Sequence, residues 1–137
     1  MEFKLLCDAQ SIDLAKSGTI WGNIWVEISG RSFPESNWND IPVAFLSELL
    51  DAVEFVRDTK GKRRRVRFFD GPYWIDLVGL SDATLSVSAN GHGAGQEVTV
   101  SVHDVAQSLA TVRTELLHAC LKRGWGDHMD VRRLQAQ

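Results

Sequence analysis

Alternation of apolar and polar residues at a period of two, repeated along most of the chain, is the strongest constraint on its fold. In residues 19–29, Ile20, Gly22, Ile24, Val26 and Ile28 share one face, and Trp21, Asn23, Trp25 and Glu27 share the other. Leu85 and Val87, and then Val98, Val100 and Val102, repeat the pattern, with Thr84, Ser86, Ser88, Glu97, Thr99 and Ser101 on the opposite side. Strands with one apolar and one polar face build an antiparallel sheet that is packed on one side and wet on the other. A short first strand over residues 3–8 sets Phe3, Leu5 and Cys7 together, and residues 9–18 read as a loop. Gly22, inside a strand, implies a bulge or the close approach of another side chain.

The period changes to a helical one twice. Over residues 41–58, Val43, Leu46, Leu49, Leu50, Val53 and Val56 form an apolar stripe, with Ser47, Glu48, Asp51, Glu54 and Asp58 on a solvated, acidic side. Asp40, two residues ahead of Pro42, is the expected N-cap. The run Ser101-Val102-His103-Asp104 has the form of a capping box, ahead of a stripe of Val105, Leu109, Val112, Leu116, Leu117 and Cys120, and Gly124 suits the C′ position. Residues 31–40 form a loop whose Phe33 and Trp38 should fold back on the core. The order β-β-α-β-β-β-β-α gives an α+β fold: a two-layer domain with a mostly antiparallel sheet and two amphipathic helices on one face. It should occupy residues 1–125, with 126–137 as a polar tail that frays.

Residues 60–77 hold six basic and four aromatic residues around the turn signal Asp70-Gly71-Pro72. They read as a central β-hairpin. Pairing sums near 141 or 143 put Val66, Phe68, Tyr73, Ile75 and Leu77 on the inner face, and Arg63, Arg65, Arg67, Trp74 and Asp76 on the outer one. Pro72 cannot donate the bond that closes a two-residue turn, so a four-residue connection is favoured. Asp76 is then expected opposite Arg67. Arg64 falls on the inward side and must escape at the strand's end or edge.

The whole chain of 137 residues carries a net charge of −3, but residues 60–67 hold six of its fifteen basic side chains and no acid. The remainder sets nine basic against eighteen acidic residues, a balance of −9. A body so acidic disfavours nucleic acid, because most of the surface repels phosphate, and it suits a basic protein partner. The N-terminus lacks the pattern of a signal peptide and no apolar run is long enough to span a bilayer, so no membrane is expected. Cys7 and Cys120 read as buried thiols rather than a disulfide, which places the protein in the cytoplasm.

Motifs for chemistry do not assemble. The glycine-rich run from Asn90 to Gly95 joins two strands and carries neither a lysine nor a serine or threonine, so it reads as a hairpin tip and not as a phosphate loop. His92, His103, His118, His128 and the cysteines have no metal-type spacing. There is no nucleophile elbow, and Asp70 and Asp76 are explained by the turn and by an ion pair. No catalytic, cofactor or metal residue is assigned, and enzyme function is not expected.

Binding is the remaining class. Arg63, Arg65, Arg67, Trp74 and Asp76 form the candidate contact surface, joined by Trp21 and Trp25 if the first strands enter the same sheet. Large aromatics on a polar face need cover, from loop 31–40, a protein partner or a second subunit. In size, acidity, one-sided sheet and lack of catalytic residues, the chain resembles the single-domain immunity proteins of bacterial toxin–immunity systems. That resemblance implies a partner that is a toxin domain, bound and neutralised. The alternatives are a homodimer or other homo-oligomer with a structural or regulatory role, or a nucleic-acid or phosphate-ligand binder using strand 60–67.

Overall fold

Each alternating stretch becomes a strand, and the strands divide between two sheets. The computed structural model describes residues 2–91 and 95–137. Along the chain lie β1 (Phe3–Leu14), β2 (Ile20–Ile28), β3 (Arg31–Phe33), β4 (Asn39–Asp40), α1 (Pro42–Val56), β5 (Arg63–Arg67), β6 (Trp74–Gly79), β7 (Thr84–Asn90), β8 (Gln96–Ser101), α2 (Val102–Lys122) and α3 (Met129–Ala136). The fold is α+β with antiparallel pairing throughout. It has two four-stranded sheets where a single sheet was expected: β1-β2-β3 with β4 also on β2, and β5-β6-β7-β8. Alternation fixes which face a strand buries but not which strand lies beside it, and α1 separates two groups that each pair locally. Buried side chains of both sheets and all three helices nevertheless join one core.

The first strand is twice its expected length. β1 pairs with β2 through Asp8↔Asn23, shifts register, and resumes at Asp13↔Trp21. Side chains replace ladder bonds in the irregular segment: Asp8 Oδ1 accepts the Gln10 amide at 3.0 Å, and Ser11 Oγ accepts the Asn23 amide at 2.8 Å. Ile12 thereby turns into the core above Gly22, where a Cβ would lie 2.9 Å from Ile12 Cγ2. The close approach expected at Gly22 is real, and the loop expected over residues 9–18 is largely strand.

The helix α1 starts with Pro42 at its first position, and its N-cap is Ile41, which makes no side-chain cap bond. Asp40 is therefore not the N-cap. Ser47 is buried within α1 and does not belong to its exposed side, because α3 packs there. α2 opens with Ser101 Oγ accepting the Asp104 amide at 3.0 Å. It closes at Gly124, φ 80°, with Gly124 N–H to Leu121 O and Trp125 N–H to Cys120 O both at 3.0 Å, a Schellman termination. Val102 is buried as expected but begins the helix instead of ending the strand.

The tail is also ordered, contrary to the fraying expected. α3 is capped by His128, whose Nδ1 accepts the Asp130 amide at 3.1 Å, and its Val131 and Leu134 are fully buried. Arg133 donates to Glu48 and Asp51 of α1 at 3.1 and 2.7 Å, and Arg113 of α2 donates to the Leu134 carbonyl at 3.1 Å. Val131 and Leu134, three residues apart, share one face of α3, and that face is the buried one.

Candidate interaction surface

The second sheet is a meander with one dry and one wet face. Val66, Ile75, Leu77, Leu85, Val87, Ala89 and Val100 point into the core. On the other side the register aligns Arg65, Asp76, Ser88 and Glu97 in one row across all four strands, and Arg63, Val78, Ser86 and Thr99 in the next. Short side chains in the middle and long ones on β5 leave a shallow cavity of about 470 Å³, bounded by Arg63, Arg65, Asp76, Ser86, Ser88 and Glu97.

Arg65 and Asp76 are the hinge of this face. The hairpin pairs at a sum of 141, with residues 69–72 as its four-residue connection, so Asp76 stands opposite Arg65 and not opposite Arg67. Arg65 Nε donates to Asp76 Oδ1 at 2.8 Å and Nη2 to Oδ2 at 3.2 Å, the two-pronged geometry that suits a planar guanidinium. Trp74 Nε1 donates to Asp76 Oδ2 at 3.2 Å and Asn90 Nδ2 does so at 3.4 Å. The guanidinium of Arg65 lies 4.6 Å from the Trp74 ring centre and that of Arg67 lies 5.4 Å away. The hydrogen bond to Asp76 raises the pKa of Arg65 above the ordinary guanidinium value. Among the described residues, Arg63 and Arg67 have no carboxylate within salt-bridge distance. Arg64 escapes inward burial by lying over the exposed Phe55 ring, 3.9 Å from its centre, with Lys62 at 4.7 Å.

Trp21 and Trp25 do not join this cluster. Both are half-buried on the outer side of β2, in the first sheet, and no ring contact links them to Trp74 among the described residues. Residues 31–40, expected as a loop, pair with β2 through β3 and β4. Phe33 and Trp38 make edge contacts with Tyr73 at 5.5 and 5.3 Å, and Phe33 also meets Phe68, which stacks on Phe45 at 4.3 Å. Asp40 completes this seam between the sheets. It is fully buried, and its carboxylate accepts from Trp38 Nε1 and from the amides of Ile41, Phe69 and Asp70 at 2.7 to 3.2 Å.

Sequence reasoning named the arginines, Trp74 and Asp76 but missed the floor of Ser86, Ser88 and Glu97. The signal was present, since all three lie on the polar side of their strands. The run from Asn90 to Gly95 includes residues 92–94, which lie outside the described residues.

A second concavity, between β1 and α2, is lined by Cys7, Asp8, Gln10, Glu115, His118 and Arg123. Burial, helped by Asp8 and Glu115, pushes the Cys7 thiol up to about 12, and burial pushes Cys120 up to about 11. Both thiols are free and protonated at neutral pH, the opposite of a nucleophile's requirement. Among the described residues no three histidine, cysteine or acidic side chains gather as a metal site, and no helix is long and apolar enough to cross a membrane. No family model matches the chain, and neither a curated protein nor a solved structure matches it.

Proposed function

We propose that the chain is a non-enzymatic protein-binding domain that meets its partner through the outer face of the second sheet. The observation that carries this reading is the Arg65–Asp76–Trp74 cluster, in which a guanidinium is held by two hydrogen bonds and lies over an indole. Arginine and tryptophan side chains already fixed in place lose little freedom on association, and these residue types dominate the energetics of interfaces. The face is polarised as well. Arg63 and Arg67 line one side and Glu97 stands on the opposite edge strand. A partner with acidic groups over β5 and a basic group near Glu97 would be complementary to it.

The specific form of this reading is an immunity protein that binds and neutralises a cognate bacterial toxin in the cytoplasm. Its support is the likeness in size, acidity and layout. Affinity capture from the native host should recover one stoichiometric protein, and Arg65→Glu and Trp74→Ala should each abolish its recovery. Capture that survives both substitutions overturns the proposed surface.

A further inference from the structure

The main chain of β5 is as informative as its side chains. In an antiparallel pair, residues alternately turn their N–H and C=O groups toward the partner strand and away from it. The Phe68 amide donates to Tyr73 O at 3.0 Å and the Gly79 amide donates to Lys62 O at 2.7 Å, which fixes the even-numbered residues as those that face β6. Arg63, Arg65 and Arg67 therefore turn their main-chain groups outward, along the free edge of the sheet. Among the described residues, no other element hydrogen-bonds to those groups. The open stretch has a defined end. The next outward amide, that of Phe69, is taken by Asp40 Oδ1 at 3.0 Å.

We infer that β5 takes a fifth strand from its partner, and that this strand is an extended acidic segment. The inference rests on the protein-binding reading above and specifies its mode. Main-chain groups supply the attachment and side chains the selection, as in other cases of strand addition. Residues of the added strand opposite Arg63, Arg65 and Arg67 stand on one face at alternate positions. Arg65 is already paired with Asp76, while among the described residues Arg63 and Arg67 have no carboxylate partner. The fitting sequence therefore carries carboxylates four residues apart, with a small polar residue between them. A second copy of this chain is the wrong occupant. Two β5 edges pairing antiparallel would set arginines opposite arginines, which destabilises a ladder. Basic edge strands also deter indiscriminate pairing, so the same charges that exclude self-association select an acidic strand.

The test uses the full chain and a blocked heptapeptide, Thr-Glu-Val-Ser-Val-Glu-Thr, followed by amide hydrogen exchange and chemical shifts. Exchange at Arg63, Arg65 and Arg67 should slow on addition of the peptide. A peptide with lysine in place of both glutamates should have no effect. Nor should one N-methylated at its glutamate and serine positions, which keeps the side chains but loses the donors. Proline is tolerated at the first position of an edge strand. Arg63→Pro should therefore keep the fold yet weaken the peptide about tenfold more than Arg63→Ala, the scale of one or two lost hydrogen bonds.

Equal effects of Arg63→Pro and Arg63→Ala would overturn strand addition. So would peptide-induced shifts confined to Ser86, Ser88 and Glu97, though these would leave the binding face intact. Protection of the three arginine amides that rises with protein concentration alone would overturn the acidic occupant in favour of a second copy. An unchanged spectrum at millimolar peptide would overturn the inference, leaving recovery of the native partner by Arg65→Glu to judge the face independently.

Discussion

Asp40 accepts the amide of Phe69 at 3.0 Å across a separation of 29 residues, joining the end of β4 in the first sheet to the hairpin tip of the second. The same buried carboxylate serves three further donors, on Trp38, Ile41 and Asp70. Removing it orphans all four part-buried donors; a fully buried orphan costs about 1–3 kcal/mol, and water relieves those on the exposed Phe69 and Asp70. Asp40→Ala should therefore lower the unfolding free energy by about 3–5 kcal/mol. Asp40→Asn, which keeps one acceptor oxygen, should cost less. Urea denaturation of both variants checks this; losses within about 0.5 kcal/mol of wild type would mean the seam is dispensable.

Two glycines should differ in a predictable order. A Cβ at Gly79 would run into the carbonyl oxygens of Val56 and Thr59, where the end of α1 crosses β6. At Gly22 the first obstacle is a side-chain methyl of Ile12 at 2.9 Å. The overlap at Gly79 is with backbone and is the closer of the two, whereas at Gly22 the nearest backbone atom, the Cα of Ile12, lies 3.2 Å away. Gly79→Ala should thus cost about 2–3 kcal/mol or more, and Gly22→Ala less. Thermal unfolding of the pair settles the order, and a reversed ranking would contradict the packing described for α1.

The last helix should contribute through its apolar contacts more than through its ion pairs. Leu134→Ala removes a fully buried side chain and should cost about 2–5 kcal/mol. Arg133→Ala removes two exposed ion pairs and should cost about 1 kcal/mol or less. Its signature is in pH. The hydrogen bond from Arg133, followed by that from Gln137, holds Asp51 below the usual carboxylate value. That contribution is present above the unfolded pKa and is lost as pH falls through the lowered folded one. The loss in stability between pH 5 and pH 2 should be shallower in Arg133→Ala, about 3 pH units being enough to span the titration. An identical acid profile would exclude the pairing from stability.

The thiols should behave in the opposite sense. Both titrate above the ordinary thiol value of 9.0 in the folded protein. Their contribution is complete below that value and is lost as pH rises toward 11 and 12. Native Cys7 and Cys120 should resist iodoacetamide at pH 8 and react fully once unfolded, as read by mass spectrometry. Rapid labelling of Cys7 in the native protein would show a thiolate that burial should suppress.

The faces of the strands were legible in the sequence because side chains alternate strictly and burial follows that alternation. Ile24 and Val26, or Leu85 and Val87, could be assigned from neighbours two residues away. Partners across space were not legible. Nothing local to Asp40 announces Phe69, and nothing in residues 9–14 signals that Ser11 will replace a ladder bond and return the chain to β2. Asp76 could be placed on the arginine face, but choosing Arg65 over Arg67 needed the register, which a shift of two residues in the turn would change without altering any face. The last helix is not legible in the tail, because its two apolar residues, Val131 and Leu134, matter only in the presence of α1 and α2. Trp21 and Trp25 join Trp74 only if all the strands form one sheet, and the division into two separates them.

The proposed seat of the partner is the outer face of the second sheet. Its most direct test is site-specific photo-cross-linking in the native host, with benzoylphenylalanine at Ser86 on that face and, for comparison, at Lys16 in the turn between β1 and β2. A discrete adduct of one mass from position 86, lost on adding Trp74→Ala and missing from position 16, is the predicted result. Adducts that form equally from both positions, or from position 16 alone, would contradict it.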